Sequence, residues 1–334
     1  MKIKLLIATA DHDYAEHLSY ILAEKHVDVF EANVCTSPER LRDLLDSNSF
    51  DAALLDPEFV SRISLSSIHL PLILTDDSYS DDFNDMKIIR KYQRISSIAG
   101  KILELYAETG KKISDFGGKK ARVNAVWSPS GGSGKTTVAL AYAAQSVSKG
   151  KEAIYLDLEN FSSTSVYFHD SDRSISKVFD KLEANVGMVL LAMRQKDGDS
   201  GIYYFGGPEN YDDINILTAD DIELLINACA ADIDELIVDL SSQCDERVRK
   251  IFAMADTVFL VCDPSAASQN KIRQFISQHN TFGDIRDKIV LVNNKGAKTA
   301  GIDIQRPVNL PLVQSADPKS VYKTLSSGNF DIGD

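Results

Sequence analysis

Residues 128–137 read SPSGGSGKTT, and their types suit the binding of a phosphate chain. Gly131, Gly132 and Gly134 let the backbone curl so that several N–H groups face one anion, and Ser130, Ser133 and Thr137 complete the curl. Lys135 brings a positive charge to the outer phosphates, and Thr136 a hydroxyl that can ligate Mg²⁺. The stretch follows the apolar run VNAVW and opens a helix-forming run, TTVALAYAAQSVSKG. At a helix N-terminus, unpaired N–H groups and the helix dipole both favour an anion. Pro129 stands where the common pattern G-x-x-x-x-G-K-[ST] has glycine.

Carboxylates follow at strand ends. ELIVDL places Asp239 near the end of an apolar run, where a carboxylate can hold Mg²⁺ through water beside such a loop. AIYLDLEN places Asp157 and Glu159 at alternate positions after the next strand. Asp157 joins Thr136 and Asp239 as a candidate Mg²⁺ ligand, and Glu159, Asp157 and Lys135 are the candidate catalytic residues. Strand-end acids also serve as caps or turn residues, and each has that second reading. Asn294 in VLVNNK offers a side-chain amide that could read an adenine edge or simply close a turn.

The first hundred residues hold a second constellation. Asp11 and Asp13 follow the first apolar run, Asp56 ends DAALLD, Thr75 ends LPLILT, and Lys91 follows MKIIR. Strand ends on one edge of an open parallel sheet converge, so these groups are expected to share one crevice, with Asp56 as a possible phosphoacceptor.

The elements that must position these residues read as two α/β alternations. In the first, KIKLLIATA, VDVFEANV, DAALLD, LPLILT and MKIIR are strand-like, YAEHLSYILAEK and PERLRDLLDSN are amphipathic, and ISSIAGKILELYAE reads as a closing helix. Such alternation implies parallel strands joined by crossover helices. The second begins at ARVNAVWS and continues through KEAIYLDL, ELIVDL, DTVFLVCD and DKIVLVNN, near-continuous apolar runs expected of strands covered on both faces. Between them GKKISDFGGKKAR is rich in Gly and Lys. The expected division is a domain at 1–108, a linker at 109–120 and a second domain at 121–334. The fold class is α/β, with two doubly wound parallel-sheet domains.

Composition narrows the function classes. The chain has 334 residues, 44% of them hydrophobic, and a net charge of −13 from 36 Lys+Arg against 49 Asp+Glu. So acidic a surface repels nucleic-acid phosphates, and no direct nucleic-acid partner is expected. Four dispersed cysteines, Cys35, Cys229, Cys244 and Cys262, form no C-x-x-C pair, which argues for free thiols in a reducing compartment. No run approaches the roughly 18 apolar residues of a membrane span, so no membrane insertion is expected and the reading is cytoplasmic. The acidic run TDDSYSDDFND (75–85) reads as a solvated loop, and the end LSSGNFDIGD as short and acidic rather than a basic membrane helix.

The order SxxGGxGKTT, LDLE, IVDL, ADTVFLVCDPSAAS, LVNNK resembles the ParA/MinD (deviant Walker A) ATPases over about residues 121–334. That resemblance implies a P-loop NTPase fold, ATP and Mg²⁺ as ligands, and a homodimer with two ATP molecules sandwiched between subunits. It further implies a lysine at the start of the loop that reaches the partner's phosphates, and an acid at the second position of D-x-D that positions the attacking water. This chain has Ser130 and Glu159 at those two places. A missing transition-state cation costs as much as about 10³–10⁵ in rate, so the expectation is tight ATP binding with slow or absent hydrolysis.

The N-terminal layout is similar to a response-regulator receiver domain, a flavodoxin-like fold in which an acidic pair binds Mg²⁺ beside a phosphoacceptor. It departs in the split acids D-H-D, in Pro57 directly after Asp56, and in Tyr92 where proline usually follows the lysine. Phosphorylation at Asp56 and a receiver shape used for docking or dimerisation both stay open. A receiver-like domain joined to a ParA/MinD-like ATPase resembles the TadZ/CpaE family. This implies an ATP-binding localisation factor for tight-adherence (Flp) type IV pilus assembly, with pilus-assembly or pole-localised protein partners and a place at a cell pole. The alternatives are a ParA-type DNA-partition ATPase and a two-component regulator with an ATPase output.

Overall fold

The computed structural model describes residues 2–26, 29–76, 82–83, 86–109, 120–169, 173–179, 182, 186–299, 304 and 307–328. Two compact units result, Met1–Phe116 and Gly117–Asp334. The segment read as a linker lies mostly outside the described residues, as do much of the acidic run at 75–85 and the last six residues of the chain.

The N-terminal unit runs β1 (Ile3–Ala8), α1 (His12–Lys25), β2 (Phe30–Cys35), α2 (Pro38–Ser47), β3 (Phe50–Leu55), α3 (Pro57–Val60), β4 (Ile68–Thr75), β5 (Asp82–Phe83), β6 (Met86–Arg90) and α4 (Ile95–Glu108). Its sheet has the order β2-β1-β3-β4-β6-β5, parallel except where β5 turns back on β6. Without that edge strand this is the flavodoxin-like order, with the reversal between β1 and β3. The helices start where side chains can cap them. Asp11 accepts from the Tyr14 N–H, and Ser37 from the Arg40 N–H with Pro38 in the first turn. Leu6, Ala8, Leu41, Leu45, Ala53, Leu55 and Phe59 form one buried cluster against α2.

The C-terminal unit runs β7 (Arg122–Trp127), α5 (Lys135–Ser148), β8 (Ala153–Leu158), α6 (Thr164–Tyr167), α7 (Ser176–Phe179), α8 (Val186–Met193), β9 (Gln195–Lys196), β10 (Tyr203–Tyr204), α9 (Asp212–Asn215), α10 (Ala219–Cys229), β11 (Glu235–Leu240), α11 (Glu246–Met254), β12 (Thr257–Cys262), α12 (Ala266–Ile276), α13 (His279–Ile285), β13 (Ile289–Asn293), β14 (Val308–Asn309) and α14 (Pro318–Ser327). The sheet order is β14-β13-β12-β7-β11-β8-β10-β9, and only β9 runs antiparallel to its neighbour. Strands β8, β11 and β12 are buried along their whole length, as their unbroken apolar runs require. Helix α5 carries alanines at 139, 141, 143 and 144, which let it lie close to the sheet while α14 covers it with Tyr322 and Leu325. That double cover explains why α5 shows no clear polar face.

All four cysteines are free, three buried and Cys244 exposed. Among the described residues no helix is long and apolar enough to cross a membrane.

Candidate functional site

Strand β7 lies between β12 and β11, so the chain turns to opposite sides of the sheet around its C-terminal end. Such a switch point opens a crevice beyond the strand ends. The loop SPSGGSGKTT leaves β7 there and ends at Gly134, the residue before α5, in the left-handed region at φ 91°. Gly132 is also left-handed, at φ 72°. Both conformations favour glycine, and such turns are what let a loop's N–H groups face one anion. Ser130 is buried, with its N–H on the Ser128 hydroxyl at 3.2 Å and its own hydroxyl turned to the Gly131 carbonyl at 3.5 Å. It belongs to the loop's interior and offers no outward cation.

Register assembles the acids. Strands β11 and β8 pair in parallel with Asp239 opposite Asp157, and β11 pairs with β7 so that Asp239 faces Val126. Asp157, Glu159 and Asp239 each offer a carboxylate oxygen, and these atoms lie within 4.8 Å of one another. Lys135, also buried, ion-pairs with Glu159 at 3.3 Å. A single lysine thus stands against three acids.

The three acids differ in what holds them. Asp157 accepts from the Glu159 N–H at 2.8 Å and from the Ser162 and Thr164 hydroxyls at 2.7 and 3.0 Å. Those bonds shape the turn that carries Glu159. Burial pushes the Asp157 carboxyl up to about 6 despite them, with the Glu159 charge adding to the rise. Asp239 is wholly buried and accepts from Tyr155 at 2.9 Å, while its other oxygen has no partner of hydrogen-bond geometry. Burial raises its carboxyl well above the usual range, and the charges of Glu159 and Asp157 add to that; Thr136 and Lys135 oppose it. A buried carboxylate next to the Thr136 hydroxyl, which hydrogen-bonds it, and to two further acids fits a hard divalent cation held by Thr136 and Asp239.

Asn294 and Lys295 reach the loop from the opposite side, after β13. The Asn294 amide donates to the Ser133 carbonyl at 2.9 Å, and its oxygen accepts the Lys295 N–H at 2.9 Å. Reading an adenine edge with both of its polar atoms would require breaking these bonds. Thr137 hydrogen-bonds the buried Tyr167 rather than standing free. Lys295 donates to the Gly132 carbonyl at 2.7 Å. Sequence reasoning missed it, because a lone lysine after a strand carries no spacing that marks it as a loop partner.

In the N-terminal unit the expected crevice forms only in part. Asp56 is buried, faces Lys91 at 2.8 Å and accepts from the Thr9 hydroxyl at 2.6 Å and the Ala10 N–H at 3.0 Å. Lys91 also donates to Thr9 at 3.1 Å, and the backbone N–H of Lys91 donates to the Thr75 carbonyl at 2.9 Å. Thr9 was not among the expected residues. Among the described residues Asp11, Asp13 and Asp56 form no group with metal-ligand spacing, while the Asp11 N–H donates to the Thr9 hydroxyl at 3.2 Å. Asp11 caps α1 and accepts from the Tyr92 hydroxyl at 3.1 Å, while Asp13 lies exposed in the helix's first turn. Splitting the acids by His12 places one at the cap and the other on the helix surface.

No protein-family model and no curated protein match the chain. Solved structures do. The ParA family ATPase from Chlorobium tepidum TLS is 19% identical with a TM-score of 0.53, covering 63% of this chain and 94% of that one. The cell division ATPase MinD of Pyrococcus furiosus is 14% identical with a TM-score of 0.48, covering 61% and 97%. The cobyrinic acid a,c-diamide synthase of Mycobacterium smegmatis, with bound ADP and magnesium, is 18% identical with a TM-score of 0.46, covering 62% and 93%. At these identities the likeness is one of fold, and the Chlorobium tepidum structure carries it. The C-terminal unit shares its fold with that ParA family ATPase, an α/β fold with a parallel sheet.

Proposed function

We propose that the C-terminal unit binds ATP with Mg²⁺, that binding stabilises a homodimer, and that hydrolysis is slow or absent. The observation that carries this reading is the loop itself: left-handed Gly132 and Gly134, buried Lys135, and the buried Asp239 carboxylate beside Thr136. Backbone N–H groups of residues 131–137 receive the phosphates, and Lys135 leaves Glu159 to meet them. Bound Mg²⁺ neutralises phosphate charge and orients the outer phosphate. Asp239 and Thr136 are its expected holders, and Asp157 supports the turn behind them. Glu159 is then freed to orient water. Ser130 cannot send a cation to a second subunit, which removes a rate contribution of about 10³–10⁵.

On this reading the protein is a nucleotide-dependent positioning factor more than an engine. Its two-unit plan supports a place in tight-adherence pilus assembly, with the N-terminal unit as the docking or dimerising module and a cell pole as its site. Sedimentation of the full chain with and without ATP and Mg²⁺ tests it. A dimer that forms only with nucleotide is expected, and a monomer under both conditions overturns the switch. The buried Asp56–Lys91 pair favours a second reading, a phosphorylated receiver with an ATPase output. Acetyl phosphate followed by mass analysis at Asp56 distinguishes the two.

A further inference from the structure

A loop whose N–H groups converge on an anion turns its carbonyls the other way, and those carbonyls need donors of their own. Two consecutive carbonyls of this loop, Gly132 and Ser133, receive theirs from Lys295 and Asn294, side chains more than 150 residues away in sequence. The donors are themselves fixed. The Asn294 N–H donates to the Cys262 carbonyl at 2.8 Å, the Gly296 N–H to the Leu310 carbonyl at 2.8 Å, and the Lys295 N–H closes on the Asn294 side chain. Lys295 also takes a left-handed backbone at φ 55°, a conformation unfavourable for a side-chain-bearing residue and kept only where its surroundings demand it. The approach is close. A Cβ on Gly134 would lie 2.3 Å from the Asn294 amide nitrogen and 3.7 Å from Lys295 Cε. Gly134 is therefore required twice, for its backbone angle and for the room the clamp needs.

We infer that Asn294 and Lys295 clamp the phosphate loop in its anion-binding shape, and that Lys295 is a positioning residue that also brings a second ammonium to the loop. It does so within one subunit, on a loop whose position 130 carries serine. The ligand it serves is the polyphosphate, not the base. This inference rests on the nucleotide-binding reading, and its test separates the two.

The experiment uses the full chain as wild type, Lys295→Met and Lys295→Arg. Two quantities are read: affinity for ATP and for inorganic pyrophosphate, each with Mg²⁺, and amide hydrogen exchange across residues 131–134 without ligand. Lys295→Met is expected to weaken both ligands by about tenfold, the effect of one charge-assisted hydrogen bond, and to speed exchange in the loop but not in β11 or β12. Lys295→Arg is expected to restore most of both. Loss confined to ATP overturns the inference and makes Lys295 a base contact. Unchanged exchange in Lys295→Met overturns it as well. If the wild type binds neither ligand while loop exchange still responds, the clamp stands and the nucleotide reading falls.

Discussion

Each unit ends its doubly wound sheet in a lysine–carboxylate pair, and the two pairs differ in what surrounds them. Lys91 and Asp56 Oδ1 meet at 2.8 Å with both side chains about one-tenth exposed, and the other oxygen of Asp56 accepts from Thr9 and the Ala10 N–H. Charge and hydrogen bonds close within that crevice. Lys135 and Glu159 meet at 3.3 Å, Glu159 is 22% exposed, and two further buried acids lie beside Glu159. One of those acids keeps an oxygen with no partner of hydrogen-bond geometry. A one-to-one pair contributes to the fold, whereas a pair crowded by two further buried acids favours something positive or a ligand that brings it. The contrast is between a Lys–Asp pair met by hydrogen-bond donors and a Lys–Glu pair set beside two further acids.

The sharpest way to break this comparison is to remove each lysine. Lys91→Met leaves the Asp56 charge buried and unpaired, which should cost the N-terminal unit about 3 kcal/mol in urea unfolding while nucleotide affinity stays unchanged. The double variant Asp56→Asn, Lys91→Met should recover most of it. A loss below about 1 kcal/mol would mean the pair is not the closed structural unit described here. Lys135→Ala should weaken ATP binding at least about 100-fold in a titration with fluorescent nucleotide, since both the charge and its hydrogen bonds to phosphate go.

The acids give the smaller effects. The folded protein holds the Asp239 proton more tightly than the unfolded chain does, because its carboxyl is raised. The stability this supplies is present at low pH and is lost as pH rises through the raised value. Asp239→Asn removes that loss and keeps an oxygen for Tyr155. The nucleotide-free variant should melt about 3 °C above wild type at pH 8, with the gap closing at pH 4. A variant that melts lower at pH 8 would show that Asp239 is a satisfied structural group. Glu159→Gln, which frees Lys135 of its internal partner, should tighten ATP binding by about threefold. Weaker binding would assign Glu159 to ligand contact instead.

Much of the fold was legible because its signals are local. The runs ELIVDL and ISSIAGKILELYAE coincide with β11 and α4 to the residue, since strand burial and helix periodicity show in the residues themselves. Strands β5, β9, β10 and β14 are two residues long and too short for any period to show. The phosphate loop was legible for the same reason as the long elements. Asp239 and Asp157 were legible as strand ends, but their side-by-side placement depends on β11 entering between β7 and β8, which is a matter of topology. Lys295 and Thr9 were not legible, because each acts on a partner far along the chain. Asp11 and Asp13 differ in placement, one capping the helix that starts at His12 and the other exposed in its first turn.

The central claim is that the C-terminal site holds ATP and hardly hydrolyses it. Incubating the full chain with an equal amount of labelled ATP and Mg²⁺, then separating protein from free nucleotide and identifying what stays bound, tests it most directly. The account predicts intact ATP retained on the protein over minutes, and loss of that retention in Lys135→Ala. Turnover at several per second, or no retained nucleotide in the wild type, would contradict it.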